Sequence, residues 1–380
     1  MNTAKIATAK MNTGPIVKVS PLGFPWQTVD PFLFCVYHDD AYPPGNELMG
    51  PAASLAGRDL GQDFAGKDGW RMYHGHTVPG FPAHPHRGFE TVTIVRRGLI
   101  DHSDSLGATA RFGGGDVQWL TAGRGIVHSE MFPLRERQQA NPLELFQIWL
   151  NLPAKDKMVA PHFTMFWSED IPRTVFTDQH GGRCEVVCIA GRLQQVNDSL
   201  SSQSSSSLQS SQSSQSSQSA QSSAAPLVAL SPPPDSWASR AESELAIWTL
   251  KLDPGARWTI PAASGSQVRR SLYFFKGTSL SVAGQSIDSA SCIELDSGQS
   301  IELTNGADGS ELLLLQGRPI AEPVAQYGPF VMNTREQLQQ AFNDYQRTQF
   351  GGWPWPDDAP VHERQRGRFA KHADGRVQSR

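Results

Sequence analysis

Two short runs, His84-Pro-His86 and His128-Ser-Glu130, carry four metal-ligating side chains in pairs spaced i, i+2. On an extended chain such residues share a face about 6.6 Å apart. Each pair can therefore converge on one ion with metal–nitrogen bonds of roughly 2.0–2.2 Å. An isolated His-x-His is a weak signal. Two pairs about forty residues apart, each beside glycine-rich turns, can face one another across a barrel. Three imidazoles and one carboxylate are neither the soft thiolate set nor the all-oxygen set, and they suit Fe(II), Mn, Ni, Cu or Zn. Four protein ligands would leave two positions of a six-coordinate ion open to water, oxygen or substrate.

Other residues are weaker candidates. His102 and Asp104 share a strand face, either lining the mouth of the site and orienting a ligand or forming a simple surface pair. His74 and His76 form another His-x-His, but no second pair answers them. Phe81, Phe89, Trp119 and Phe132 lie beside the ligands in sequence; core packing is their default role, and some can wall a pocket for an aromatic substrate. No histidine occurs between Gly181 and Val361, so the second half cannot repeat the imidazole site.

The elements that must position these residues read as short strands separated by turns. In the first half they fall near 91–95, 99–103, 117–120, 145–152 and 175–189. In the second half they fall near 244–252, 257–260, 271–275, 279–283, 292–295 and 311–316. This rhythm indicates sandwiches or barrels, not βαβ units. A Ser/Gln-rich segment from about Leu200 to Ala225 has almost nothing to bury and is expected to be disordered. One helix is expected after Asn333, which stands three residues before Glu336 in a capping-box arrangement. Leu338, Ala341, Phe342 and Tyr345 recur on one face, and Gly351-Gly352 ends the helix. The expected division is a metal-binding barrel over 16–190, a disordered linker over 196–235 and a second barrel over 236–325. A helix and cap over 326–356 and a flexible tail over 357–380 complete it.

The 380-residue chain is long enough for two ordinary cores. Its net charge of −4 gives no electrostatic case for direct nucleic-acid binding or an anionic membrane. Met1 to Pro15 has two lysines and no apolar run, unlike a usual secretory leader, and nothing later approaches the ~20 apolar residues of a membrane span. The four cysteines, Cys35, Cys184, Cys188 and Cys292, read as buried small hydrophobes in a reducing compartment. A cytoplasmic monomer is the expectation.

The runs His84-Pro-His86-Arg-Gly-Phe-Glu90-Thr-Val and Gly115-Asp-Val-Gln-Trp-Leu-Thr-Ala-Gly-Arg-Gly-Ile-Val-His128-Ser-Glu130-Met resemble the signature of the pirins. Tyr327-Gly-Pro-Phe-Val-Met-Asn-Thr-Arg-Glu336 onward is similar to their C-terminal helix. The resemblance covers roughly Ile16 to Phe350 apart from the Ser/Gln insert. It implies an all-β fold of two tandem cupin (jelly-roll-like) β-barrels with a C-terminal helix, the second barrel degenerate. It also implies iron, as Fe(II), held by His84, His86, His128 and Glu130. Glu90 is a competitor, because in the wider cupin superfamily a glutamate shortly after His-x-His is often a ligand. An unbroken strand places it ~13 Å past His86, so a supporting position is expected.

Two functions follow from the resemblance. One is a dioxygenase that uses O2 to cleave flavonols such as quercetin at the 2,4-positions. In that reaction the metal lowers the pKa of the substrate hydroxyl and Glu130 serves as general base. The alternative is a non-catalytic, iron-dependent regulator that binds a transcription factor or metabolic enzyme.

Overall fold

The computed structural model describes residues 14–194, 225–265, 267–288 and 290–380. Nearly all regular structure is antiparallel strand, and two sandwiches account for it. In the N-terminal sandwich a five-stranded sheet runs in the order His162–Phe166, Val117–Thr121, Phe89–Arg97, Leu143–Asn151, Phe32–Asp40. Facing it is a six-stranded sheet in the order Val377–Ser379, Phe369–Lys371, Thr109–Gly113, Leu99–Asp104, Ile126–Met131, Gly80–His86. The C-terminal sandwich pairs a seven-stranded sheet with a four-stranded one.

Each large sheet is apolar on both faces, because each is covered twice. Strand 89–97 turns Phe89, Thr91, Thr93 and Val95 to one side and Glu90, Val92 and Ile94 to the other. Val92 and Ile94 join Trp119, Phe146, Ile148, Ile247, Tyr273 and Leu313 in a core shared by the two sandwiches. At about 25 cal/mol per Å² of apolar surface, such a seam holds the halves as one body. No helix among the described residues is long and apolar enough to cross a membrane.

The structure redraws several expected boundaries. Strands Arg173–Thr177 and Arg183–Ala190, assigned above to the first barrel, pair with Ala246–Leu252 and belong to the second. The alternation explains this: Cys184, Val186 and Cys188 enter the C-terminal core, where burial pushes both thiols up to about 12. The N-terminal strand Ile16–Pro21 also crosses over, covering the exposed edge of Ser291–Asp296. Of the expected linker, 196–224 lies outside the described residues. After it, Leu227–Val228 pairs with Arg192–Leu193.

The helix spans Arg335–Thr348, and its cap is one residue later than expected. Thr334, not Asn333, accepts from the Gln337 amide, and the Gln337 side chain returns to the Thr334 backbone. Leu338 and Ala341 are buried, with Phe342 and Tyr345 packed beside them against Phe330 and Phe350. Gln349 ends the helix in a left-handed conformation before the two glycines.

The expected flexible tail is instead part of the first sandwich. Phe369–Lys371 adds to Thr109–Gly113 as a strand, and Phe369 and Ala370 are buried. The fully buried Arg111 explains the docking. It forks onto Asp101 at 2.6 and 2.7 Å and donates to the carbonyls of His362, Glu363 and Arg366. The polar composition of 357–380 conceals these backbone acceptors.

Candidate metal centre

Cross-strand register puts the imidazoles together. His84 and His128 are direct partners on the antiparallel strands Gly80–His86 and Ile126–Met131. His86 follows on the same face as His84. Ring centroids lie 4.5 Å apart for His84 and His128, 4.8 Å for His84 and His86, and 4.9 Å for His86 and His128. One ligand nitrogen from each ring falls within 4.8 Å of the others. Bonds of about 2.1 Å to one ion span at most about 4.2 Å, so small ring rotations complete a three-nitrogen site.

The nitrogen atoms themselves fit a metal. Among the described residues, His86 Nδ1 and both nitrogens of His128 are buried without a hydrogen-bond partner, an expense that native interiors rarely tolerate unless something else binds there. His84 Nδ1 bonds the Pro82 carbonyl at 2.8 Å, which fixes the proton there and frees Nε2. Burial lowers the basicity of all three, to about 4 for His84 and well below the usual range for His86 and His128, and neighbouring imidazoles lower it further. They are neutral, the form that ligates.

Glu130 stands at the rim of this triad. Its Oε2 is 3.9 Å from His128 Nε2. Oε1 lies 3.2 Å from the Thr93 hydroxyl, whose one hydrogen is shared with Gln147 Oε1 at 2.5 Å, and Oε2 accepts from the Gln147 amide at 3.4 Å. Burial pushes the carboxyl up to about 6, against the opposing pull of His102 and Thr93. The carboxylate is thus beside the three nitrogens but held by the opposite sheet.

His102 and Asp104 lie across from Glu130 and His128 in register. They form a buried pair at 3.0 Å, with the His102 ring 5.5 Å from that of His128. Asp104 Oδ1 also takes the amides of Leu106 and Ala108. The pair therefore backs the His128 ring from inside the fold, and the surface-pair alternative does not hold. Phe89 packs at 5.1 Å on His86 and 4.3 Å on Trp149.

Two expected supporting residues point elsewhere. Glu90 lies on the other face of its strand, where its carboxylate accepts from Thr121 at 2.7 Å and Ser236 at 2.6 Å. Trp119 sits in the core between the sandwiches. Strand alternation separates both from the imidazoles. His74 bonds the Gly61 carbonyl at 2.6 Å and joins no metal cluster among the described residues.

The triad opens on a cavity of about 300 Å³ lined by Phe24, Phe34, Phe64, Phe81, Phe132 and Trp149, with His84, His86, Glu130, Thr93, Gln147 and His38 as its polar points. Phe81 and Phe132 were among the aromatic candidates. His38, Thr93, Gln147 and Trp149 were not, although Gln147, amid the apolar run Leu145–Leu150, was a readable polar signal.

Comparisons with known proteins agree with this arrangement. A family model described as pirin matches residues 21–150, and one described as the pirin C-terminal cupin domain matches 247–351. A Pseudomonas aeruginosa protein provisionally named quercetin 2,3-dioxygenase is 35% identical over 71% of this chain and 79% of its own length. Human pirin is 31% identical over 73% of this chain and 80% of its own length. The crystal structure of an Acinetobacter baumannii quercetin 2,3-dioxygenase superposes with a TM-score of 0.59 at 26% identity, covering 85% of this chain and 87% of that one.

Proposed function

Because this chain belongs to the pirin family, whose two domain models it matches and whose members it resembles over most of their length, we propose that it is a metal-dependent dioxygenase acting on flavonol-like substrates, quercetin among them. The observation that carries this reading is the meeting of three neutral imidazoles with an aromatic-walled cavity large enough for a planar ligand. The names of the Pseudomonas and Acinetobacter relatives support the substrate class.

His84, His86 and His128 would hold the metal, with Glu130 as the fourth ligand. A first-row divalent ion there, Fe(II) foremost, supplies Lewis acidity toward a bound hydroxyl and one-electron chemistry toward dioxygen. The protein's own residues do the rest. Phe81, Phe132 and Trp149 sandwich an aromatic ring and exclude water. Glu130 takes the flavonol 3-hydroxyl proton at a carboxylate oxygen, and Thr93 and Gln147 hold that carboxylate in place. Removing water from this pocket strengthens each polar contact within it.

Protein purified anaerobically and loaded with Fe(II) should consume oxygen and bleach the quercetin absorbance. His84→Ala should lose both the metal, measured by elemental analysis, and at least about 100-fold in turnover, beyond the roughly 10–100-fold typical of removing a residue that only supports a metal ligand. Metal-loaded wild type that leaves quercetin and oxygen untouched would overturn the proposal.

A further inference from the structure

A second polar device is built into the cavity wall, away from the imidazole triad. Strand Phe32–Asp40 presents Phe34, Val36 and His38 to the cavity by simple alternation. His38 is almost fully buried, and its Nδ1 lies 2.6 Å from the Tyr73 hydroxyl. That hydroxyl donates to Asp40 Oδ2 at 2.6 Å, and Arg71 donates to Asp40 Oδ1 at 3.1 Å. Tyr73 and Asp40 are fully buried. The chain Arg71–Asp40–Tyr73–His38 thus ends at the cavity.

Counting hydrogens fixes its direction. The Arg71 guanidinium on Oδ1 marks Asp40 as the acceptor, so the single phenolic hydrogen of Tyr73 goes to Oδ2. The phenol oxygen then has only lone pairs left for His38, and Nδ1 must carry the imidazole hydrogen. Burial, and the Arg71 charge after it, keep His38 neutral, with a pKa lowered to about 3. Nε2 is therefore a lone-pair acceptor, and it has no partner among the described residues. Tyr73 holds this position with a left-handed backbone, φ 55°, a conformation costing roughly 1–2 kcal/mol for a bulky residue. Phe64 and Phe81 clamp its ring at 5.5 and 5.1 Å.

We propose that His38 is a specificity residue of this cavity: its Nε2 accepts a hydrogen bond from a substrate hydroxyl other than those that meet the metal. The site then selects polyhydroxylated aromatics over analogues that carry only the metal-binding edge. An oriented, buried acceptor discriminates in this way because a ligand without the hydroxyl leaves it unpaired. The inference rests on the flavonol reading above, but its test is separable.

Quercetin and 3-hydroxyflavone share the 3-hydroxy-4-keto edge and differ in the remaining hydroxyls. Their dissociation constants are measured anaerobically on the metal-loaded full chain by fluorescence quenching, alongside metal content and thermal melting. In His38→Phe the preference for quercetin over 3-hydroxyflavone should fall about three- to tenfold, the range of one hydrogen bond, with metal content unchanged. His38→Gln, which keeps an acceptor, should retain most of the preference. Tyr73→Phe, which leaves the His38 ring but frees its tautomer, should give an intermediate loss and covers the case in which His38→Phe does not fold. An unchanged ratio in the folded His38 and Tyr73 variants overturns the proposal, as does failure of both ligands to bind wild type. Oxygen uptake reports separately: binding that follows the expected pattern without turnover keeps the role of His38 and sinks the dioxygenase reading.

Discussion

At the scale of single residues, burial sets the chemistry more than identity does. Glu130 and Glu90 are both buried glutamates on strands of the two facing sheets, yet one faces the imidazoles and the other the seam between sandwiches. Glu90 is held by Ser236 and Thr121, but burial outweighs those bonds and pushes its carboxyl up to about 7. A folded-state pKa above the unfolded value of about 4.5 means that the native state binds the extra proton between those limits. Stability from this group is full below about pH 4.5 and is lost as pH rises through about 7. The shift corresponds to about 3 kcal/mol. Glu90→Gln should therefore be progressively more stable relative to wild type from pH 4 to pH 8, by up to that amount, in urea melts. A pH-independent difference would show that Glu90 is already ionised in the fold. Such a change should leave metal content untouched, since the residue faces away from the triad.

At the scale of elements, register is what brings three separated imidazoles into one cluster, with Glu130 beside it. The His84–His128 pairing follows from two antiparallel strands on either side of Leu99–Asp104 in the chain, and the i, i+2 alternation made it readable from sequence. The same alternation would have excluded Glu90 and Trp119 had the pairing of strand 89–97 been known. What stayed hidden was which sheet each strand joins: 183–190 shows one apolar face, Cys184, Val186 and Cys188, but an apolar face alone does not say which sandwich it covers. The helix offers a sharper case. Asn333 and Thr334 are both good caps, and a one-residue choice decides whether Glu336 or Gln337 closes the box. The structure chooses Thr334. Thr334→Ala should cost about 1 kcal/mol, read as a lower urea midpoint, whereas Glu336→Ala should leave the capping bonds intact and the midpoint nearly unchanged. The helix matters beyond its own stability because Arg87, next to His86, bonds Asp344 at 2.8 Å and lies over the Phe350 ring.

At the scale of the whole molecule, the metal strand is held by distant parts of the chain. Residues 329–350 buttress it at Arg87, through the Arg87 amide to the Pro329 carbonyl and the Val331 amide to the Arg87 carbonyl. The last segment holds the other end, where the Ala83 amide donates to the Asp358 carbonyl at 2.7 Å, one residue from His84. The composition of 357–380, polar and mildly basic, suggested a solvated end. It does not reveal that its carbonyls satisfy a buried Arg111, because backbone acceptors leave no trace in side-chain pattern. Removing 357–380 should therefore strip Arg111 of its carbonyl partners, break the edge pairing to Thr109–Gly113 and release Ala83. A loss of several kcal/mol is expected, on the scale of breaking a buried charged network, together with weaker metal retention on dialysis. Arg111→Met in the full chain separates the two effects. It removes the Asp101 ion pair, leaving that carboxylate only the His362 amide, and should lower stability by roughly 3–5 kcal/mol, while the groups of the Ala83–Asp358 bond are unaltered. If the tail acts on the metal site through Ala83, the truncated protein should lose metal faster than Arg111→Met at equal stability, with both compared at matched distances below their melting temperatures. Equal loss rates would mean that the tail contributes only global stability.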